Sequence, residues 1–122
     1  LCIADQSNPE REKALRHLAN ELGVLCCRSD RLFVEFLPVG GSKGDGVARI
    51  VGRTGWPILN TVAIGDNEND ATMFACCGAC AAVGNAQENA RVAADVIVES
   101  CSESGVGKLL ERFRFGGWAG LY

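Results

Sequence analysis

The chain has 122 residues, 48% of them apolar, with a formal charge of −3 and no dense run of Lys or Arg. That length suits one packed domain, and the balance of apolar and charged residues points to a globular rather than a disordered chain. It gives no electrostatic reason to expect a nucleic acid or a membrane surface as partner, and no apolar run approaches the roughly 20 residues of a membrane span. The first residue is Leu and no secretory apolar region follows, so the chain is expected to start inside a longer gene product or to have been processed. Seven cysteines, an odd number in a chain with ample apolar residues, point to reduced thiols and a cytoplasmic setting. Cys77 and Cys80 have C-x-x-C spacing, but with no second pair and only the remote His17, they read as small buried hydrophobes.

Residues 1–38 read as strand, helix, strand, strand. A short apolar run, residues 1–4, is followed by Ser7-Asn8-Pro9-Glu10, which carries a cap residue, a first-turn Pro and a Glu spaced for a capping box. Ala14, Leu15, Leu18 and Leu22 recur at helical spacing as one apolar face, and Gly23 stands where a C-terminal cap belongs. Residues 24–27 and 32–37 form two strands around a polar turn at Ser29-Asp30. From Gly40 onward the alternation becomes regular. A Gly-rich loop leads to a helix with Val47, Ile50 and Val51 inward, then to the apolar strand Thr61-Val62-Ala63-Ile64. A helix begins near Asn69 and stops at Gly78. Strands at 79–83 and 96–98 bracket a helix ending near Ala94, and a last helix covers 106–113. Strands alternating with helices of this length predict an α/β fold with parallel strands and right-handed crossovers. The tail, residues 115–122, is Gly-rich and aromatic and receives no role.

The residues able to do chemistry cluster after the apolar strand, in Gly65-Asp66-Asn67-Glu68-Asn69-Asp70. Ligands of open α/β sheets bind beyond the carboxyl ends of the strands, where Asp66 stands. Asp70, four residues on, faces the same crevice if it lies in the first helical turn. Two carboxylates and an amide suit a hard cation such as Mg²⁺, but an Asx-rich run also forms turns and caps helices, and the composition alone favours neither. Lys43 opens a helix, a position unfavourable to the helix dipole that makes sense if its ammonium helps to hold an anion. The loop around it is neither a Walker A nor a G-x-G-x-x-G motif.

Lys43, a helix, a strand, then Asp66-x-x-Asn69-Asp70 resembles, in order and spacing, the last two motifs of the haloacid-dehalogenase superfamily. The resemblance is strongest to Cof-type sugar-phosphate phosphatases and to the related phosphoglycolate and sucrose-phosphate phosphatases. It extends over about residues 1–110 through Pro38-Val39-Gly40-Gly41-Ser42-Lys43-Gly44, Met73-Phe74, Ala82-Val83-Gly84-Asn85-Ala86, Ala93-Ala94-Asp95 and Ser104-Gly105-Val106. It implies that residues 1–38 end an α+β cap domain and that 39–114 form the C-terminal half of a Rossmann-like core. It implies a Mg²⁺-dependent phosphatase acting on a sugar phosphate or another small phosphorylated metabolite. Lys43 would steady nucleophile and phosphate, Asp66 would bind Mg²⁺, Asn69 would hydrogen-bond the phosphate, and Asp70 would support the metal or orient Lys43. The family's nucleophile signature, Asp-x-Asp-x-Thr/Val, is matched nowhere, and Asp5, Asp30 and Asp45 stand in the wrong contexts. The isolated chain is therefore expected to be inert, and to need a dimer partner or complementation by the nucleophile segment because of an open sheet edge. A non-catalytic phosphate- or Mg²⁺-binding module is the alternative reading.

Overall fold

The structure, a computed structural model, describes residues 2–3, 8–30 and 32–116. Ser7, Asp5 and most of the aromatic tail lie outside them. The chain runs β1 (Cys2–Ile3), α1 (Pro9–Leu22), β2 (Leu25–Arg28), β3 (Phe33–Leu37), α2 (Lys43–Thr54), β4 (Val62–Gly65), α3 (Ala71–Phe74), β5 (Ala79–Ala82), α4 (Glu88–Ala93), β6 (Val96–Ile97) and α5 (Gly105–Gly116), with 3-10 turns at Ile58–Asn60, Glu68–Asp70 and Cys101–Glu103.

The first three strands make an antiparallel sheet in the order β1-β3-β2. Helix α1 has local start and stop signals. Asn8 accepts a hydrogen bond from the Arg11 amide through Oδ1 at 3.2 Å, Pro9 occupies the first turn, and Gly23 closes the helix in the left-handed region at φ 64°. The expected apolar face is only partly used. Ala19 is buried, whereas Leu18 and Leu22 are 43% and 64% exposed. In β2 and β3 the register Leu25↔Leu37 and Cys27↔Glu35 sets these four side chains on one face, and Val34, on the other, is fully buried.

The remaining strands form a parallel sheet in the order β4-β5-β6, which is the α/β architecture expected from the alternation. Central β5 consists of Ala and Cys and is buried throughout. Alternation sorts its neighbours into two layers. Cys80 joins Ala63, Phe74 and Ala90 on one face, and Ala81 joins Val98 and Leu109 on the other, so α3 and α4 cover one side and α5 the opposite one. Small strand residues let the helices approach closely, and fully buried Leu109 carries a typical truncation cost of about 2–5 kcal/mol. Helix α2 departs from expectation at Ile50, which is 64% exposed while Val47 and Val51 are half-buried. An apolar stripe gives the period of a helix face but not how far around the helix its neighbours reach. No helix among the described residues is long and apolar enough to cross a membrane.

Candidate active site

The site is built where β4 ends. Gly65 is its last residue, and a Cβ there would lie 2.4–2.5 Å from Cβ, Cγ and Oδ2 of Asp70, so only glycine lets that side chain fold back onto the strand. Folded back, Asp70 Oδ2 accepts the backbone N–H groups of Asp66 at 2.9 Å and Asn67 at 3.0 Å. These bonds tighten residues 68–70 into a 3-10 turn, which is why the helix expected from Asn69 begins only at Ala71.

The second oxygen of Asp70, Oδ1, pairs with the ammonium of Lys43. Lys43 arrives from α2, whose start is capped reciprocally: the Ser42 hydroxyl accepts from the Asp45 amide at 3.1 Å, and the Asp45 carboxylate accepts from the Ser42 amide at 3.0 Å. Gly44 then brings α2 against α3, its N–H donating to Thr72 Oγ1 at 3.1 Å, and a Cβ at Gly44 would sit 2.3 Å from the Thr72 carbonyl oxygen. The Asp70 side chain is 4% exposed and that of Lys43 48%. Burial alone would raise the Asp70 pKa, but the bond from Lys43 and the two backbone N–H groups outweigh it and hold the carboxyl below its ordinary value. Both oxygens of Asp70 are thus engaged by protein donors, the Lys43 ammonium on Oδ1 and two backbone N–H groups on Oδ2.

Asn69 and Lys43 line one side of a cavity of about 320 Å³ whose other walls include Leu25, Cys27, Glu35 and Leu37 from the antiparallel sheet. The Asn69 side chain has no hydrogen-bond partner among the described residues, and its Oδ1 is buried. Asp66 faces elsewhere. It lines a second cavity of about 520 Å³ with Asn67, Gln87 and Glu88, and its Oδ1 accepts from Asn67 Nδ2 at 3.1 Å. The loop thus presents an ammonium and a free amide on one flank and a carboxylate with one oxygen open on the other. That open oxygen beside amide groups suits one corner of a hard-cation site. Among the described residues no three His, Cys, Asp or Glu side chains converge to complete one.

Three features escaped the sequence reading. The capping partners Ser42 and Asp45 stand in a Ser-x-x-Asp pattern that was there to be read. Glu68 carried no assigned role, yet it accepts two hydrogen bonds from Arg16 on α1. Arg16 itself left only an i,i+4 spacing from Glu12 as a clue. Cys80, expected to be a buried hydrophobe, is buried, with Sγ 3.3 Å from Asp95 Oδ2, and burial pushes its thiol pKa up.

The family of haloacid dehalogenase-like hydrolases matches residues 2–110. The pyridoxal phosphate phosphatase YbhA of Escherichia coli is 33% identical over 90 residues, which are 74% of this chain and 33% of that protein. A haloacid dehalogenase-like hydrolase from B. subtilis superposes with a TM-score of 0.78 at 26% identity, covering 84% of this chain and 36% of that one. The subclass IIB sugar phosphatase BT4131 shares the fold, with a TM-score of 0.76 at 24% identity over 84% of this chain and 40% of its own. The chain thus spans between a third and two fifths of the length of these relatives.

Proposed function

Because this chain belongs to the family of haloacid dehalogenase-like hydrolases, we propose that it is the phosphate-binding part of a Mg²⁺-dependent phosphatase acting on a small phosphorylated metabolite. The observation that carries the reading is the pairing of a buried, ionised Asp70 with the half-exposed Lys43 ammonium beside the unpartnered amide of Asn69. An aimed cation on one cavity wall, beside an amide able to donate through Nδ2, is what the oxygens of a phosphoryl group need as charge develops on them.

In this reading residues 1–38 belong to a cap, 39–114 to the catalytic core, and the protein works in the cytoplasm. Lys43 holds a phosphoryl oxygen and the attacking carboxylate, and Asn69 donates to a second phosphoryl oxygen. Asp70 keeps the ammonium aimed, so that no reorganisation is needed as the charge shifts. Asp66 would hold Mg²⁺, which when bound neutralises charge on the phosphoryl oxygens. The nucleophile would be an aspartate outside these 122 residues, whose sequence contains no Asp-x-Asp-x-Thr/Val run. The leaving alcohol would rest against Leu25, Cys27 and Leu37, with the Glu35 carboxylate accepting from its hydroxyl groups, an arrangement that favours a sugar phosphate.

The test is phosphate release by the complete gene product from a panel of sugar phosphates, phosphoglycolate and pyridoxal phosphate, with and without a chelator. Chelator-sensitive turnover is expected. Binding of phosphate without turnover on every ester would instead establish a non-catalytic module.

A further inference from the structure

The antiparallel sheet and the 66–70 loop are joined by a chain of four charged side chains. Arg16, midway along α1, donates from Nη1 to Glu68 Oε1 at 2.9 Å and from Nη2 to Glu68 Oε2 at 2.7 Å, a two-pronged bond between residues 52 apart in sequence. The other edges of the same guanidinium are also held. Nε and Nη2 donate to Glu12 Oε1 at 3.1 and 2.7 Å, and Nη1 to the Cys26 carbonyl at 3.3 Å. Glu12 is held in turn through its other oxygen by Arg28 on β2. Helix α1 and strand β2 thus fix the direction of Arg16 before it reaches the loop.

On the loop side, Glu68 makes no other side-chain bond among the described residues. It stands two residues after Asp66 and directly before Asn69, at the start of the 3-10 turn that Asp70 closes, and β2 packs against this turn. The side chains of Arg16 and Glu68 are 36% and 24% exposed, so water screens the pair only in part. Pairing with Glu68 raises the Arg16 pKa in spite of burial, so the guanidinium keeps its charge at any working pH. A clamp seated between the candidate metal residue and the candidate phosphate residue is placed to act on both.

We propose that Arg16 is a positioning residue for catalysis, gripping Glu68 so that α1 and β2 hold the 66–70 loop in its reactive arrangement. The inference rests on the phosphatase reading for its consequence in turnover, but the clamp itself is tested without it. Releasing Arg16 would leave Asn69 and Asp66 in the loop yet free the turn that spaces them. Substrate would still bind, and the chemical step would slow.

The experiment compares the complete gene product with Arg16→Ala, Glu68→Gln and the conservative Arg16→Lys, which keeps a cation facing Glu12 and Glu68, using amide hydrogen exchange and steady-state kinetics. Removal of either partner is expected to speed exchange at the Asp66 and Asn67 amides about tenfold while α5 exchanges as before, with Arg16→Lys retaining part of the protection. kcat is expected to fall about tenfold with KM held within about twofold, and to recover in part in Arg16→Lys. A role confined to stability would lower the unfolding midpoint and leave kcat unchanged, overturning the proposal. Unaltered exchange in the loop would overturn it as well. If the wild-type protein turned over no phosphomonoester, the phosphatase reading would fall while the exchange result still decided whether the clamp controls the loop.

Discussion

Lys43 and Asp70, 27 residues apart in sequence, form an ion pair in which the carboxylate is buried and the ammonium reaches into a cavity. Asp70 also accepts the backbone N–H groups of Asp66 and Asn67, so one side chain both shapes the loop and aims the cation. The site depends less on any one ligand than on the fold-back of this carboxylate.

Gly65 and Gly44 create the space for that arrangement. Gly65→Ala is expected to push Asp70 off the loop amides, costing about 1–3 kcal/mol, the range for overpacking, and abolishing phosphate binding by the complete gene product. Gly46 is the contrast: it lies within α2 with nothing near its Cβ position. Gly46→Ala is expected to stabilise by about 0.5–1 kcal/mol through helix propensity. Urea unfolding of both variants checks the pair, and equal effects would contradict the packing assigned to Gly65.

Asp70→Asn keeps the shape and removes the charge. Loss of a charge-assisted bond on a buried group is expected to cost about 1–3 kcal/mol and to leave Lys43 without its aim. The pH dependence has a fixed sign. The folded pKa of Asp70 lies below the ordinary 3.8 and that of Glu12 below the ordinary 4.5, so each contributes stability that is complete above those values and lost as the pH falls through the lower folded ones. Unfolding midpoints measured from pH 6 down to 2 should decline less steeply in Asp70→Asn than in the wild type. Parallel curves would remove Asp70 from the acid response.

The thiols should differ in reactivity. Cys101 is exposed, whereas Cys80 is 4% exposed with its pKa raised by burial and lies against Asp95. Brief treatment with iodoacetamide followed by mass spectrometry is expected to label Cys101 well before Cys80. Equal labelling would mean that β5 is not the centre of the parallel sheet.

The order of elements was legible because its signals are local. Asn8, Pro9 and Gly23 bound α1 by caps that need nothing distant, and an apolar strand ending in Gly65-Asp66 marks a ligand-facing end. The 3-10 turn at Glu68–Asp70 was not legible, since it arises from a carboxylate turning back on two amides. Nor were the exposures of Ile50, Leu18 and Leu22, which depend on neighbours that periodicity does not name. Asp66 and Asp70 are expected from their spacing to face one crevice; in the fold Asp70 turns back on the loop amides while Asp66 lines a different cavity from Lys43 and Asn69. Glu68 was visible within the motif, but its use depends on Arg16, 52 residues away, and such pairs leave no spacing to read.

The most direct test of the account is Mg²⁺ titration of phosphomonoester hydrolysis by the complete gene product, wild type beside Asp66→Ala and Lys43→Met. The account predicts saturable Mg²⁺ activation in the wild type. It predicts that Asp66→Ala loses this activation, and that Lys43→Met slows turnover at saturating metal by about 100-fold or more, in line with the loss of an electrostatic donor at a transition state. Wild-type activation and turnover in both variants would contradict the assignment of the site.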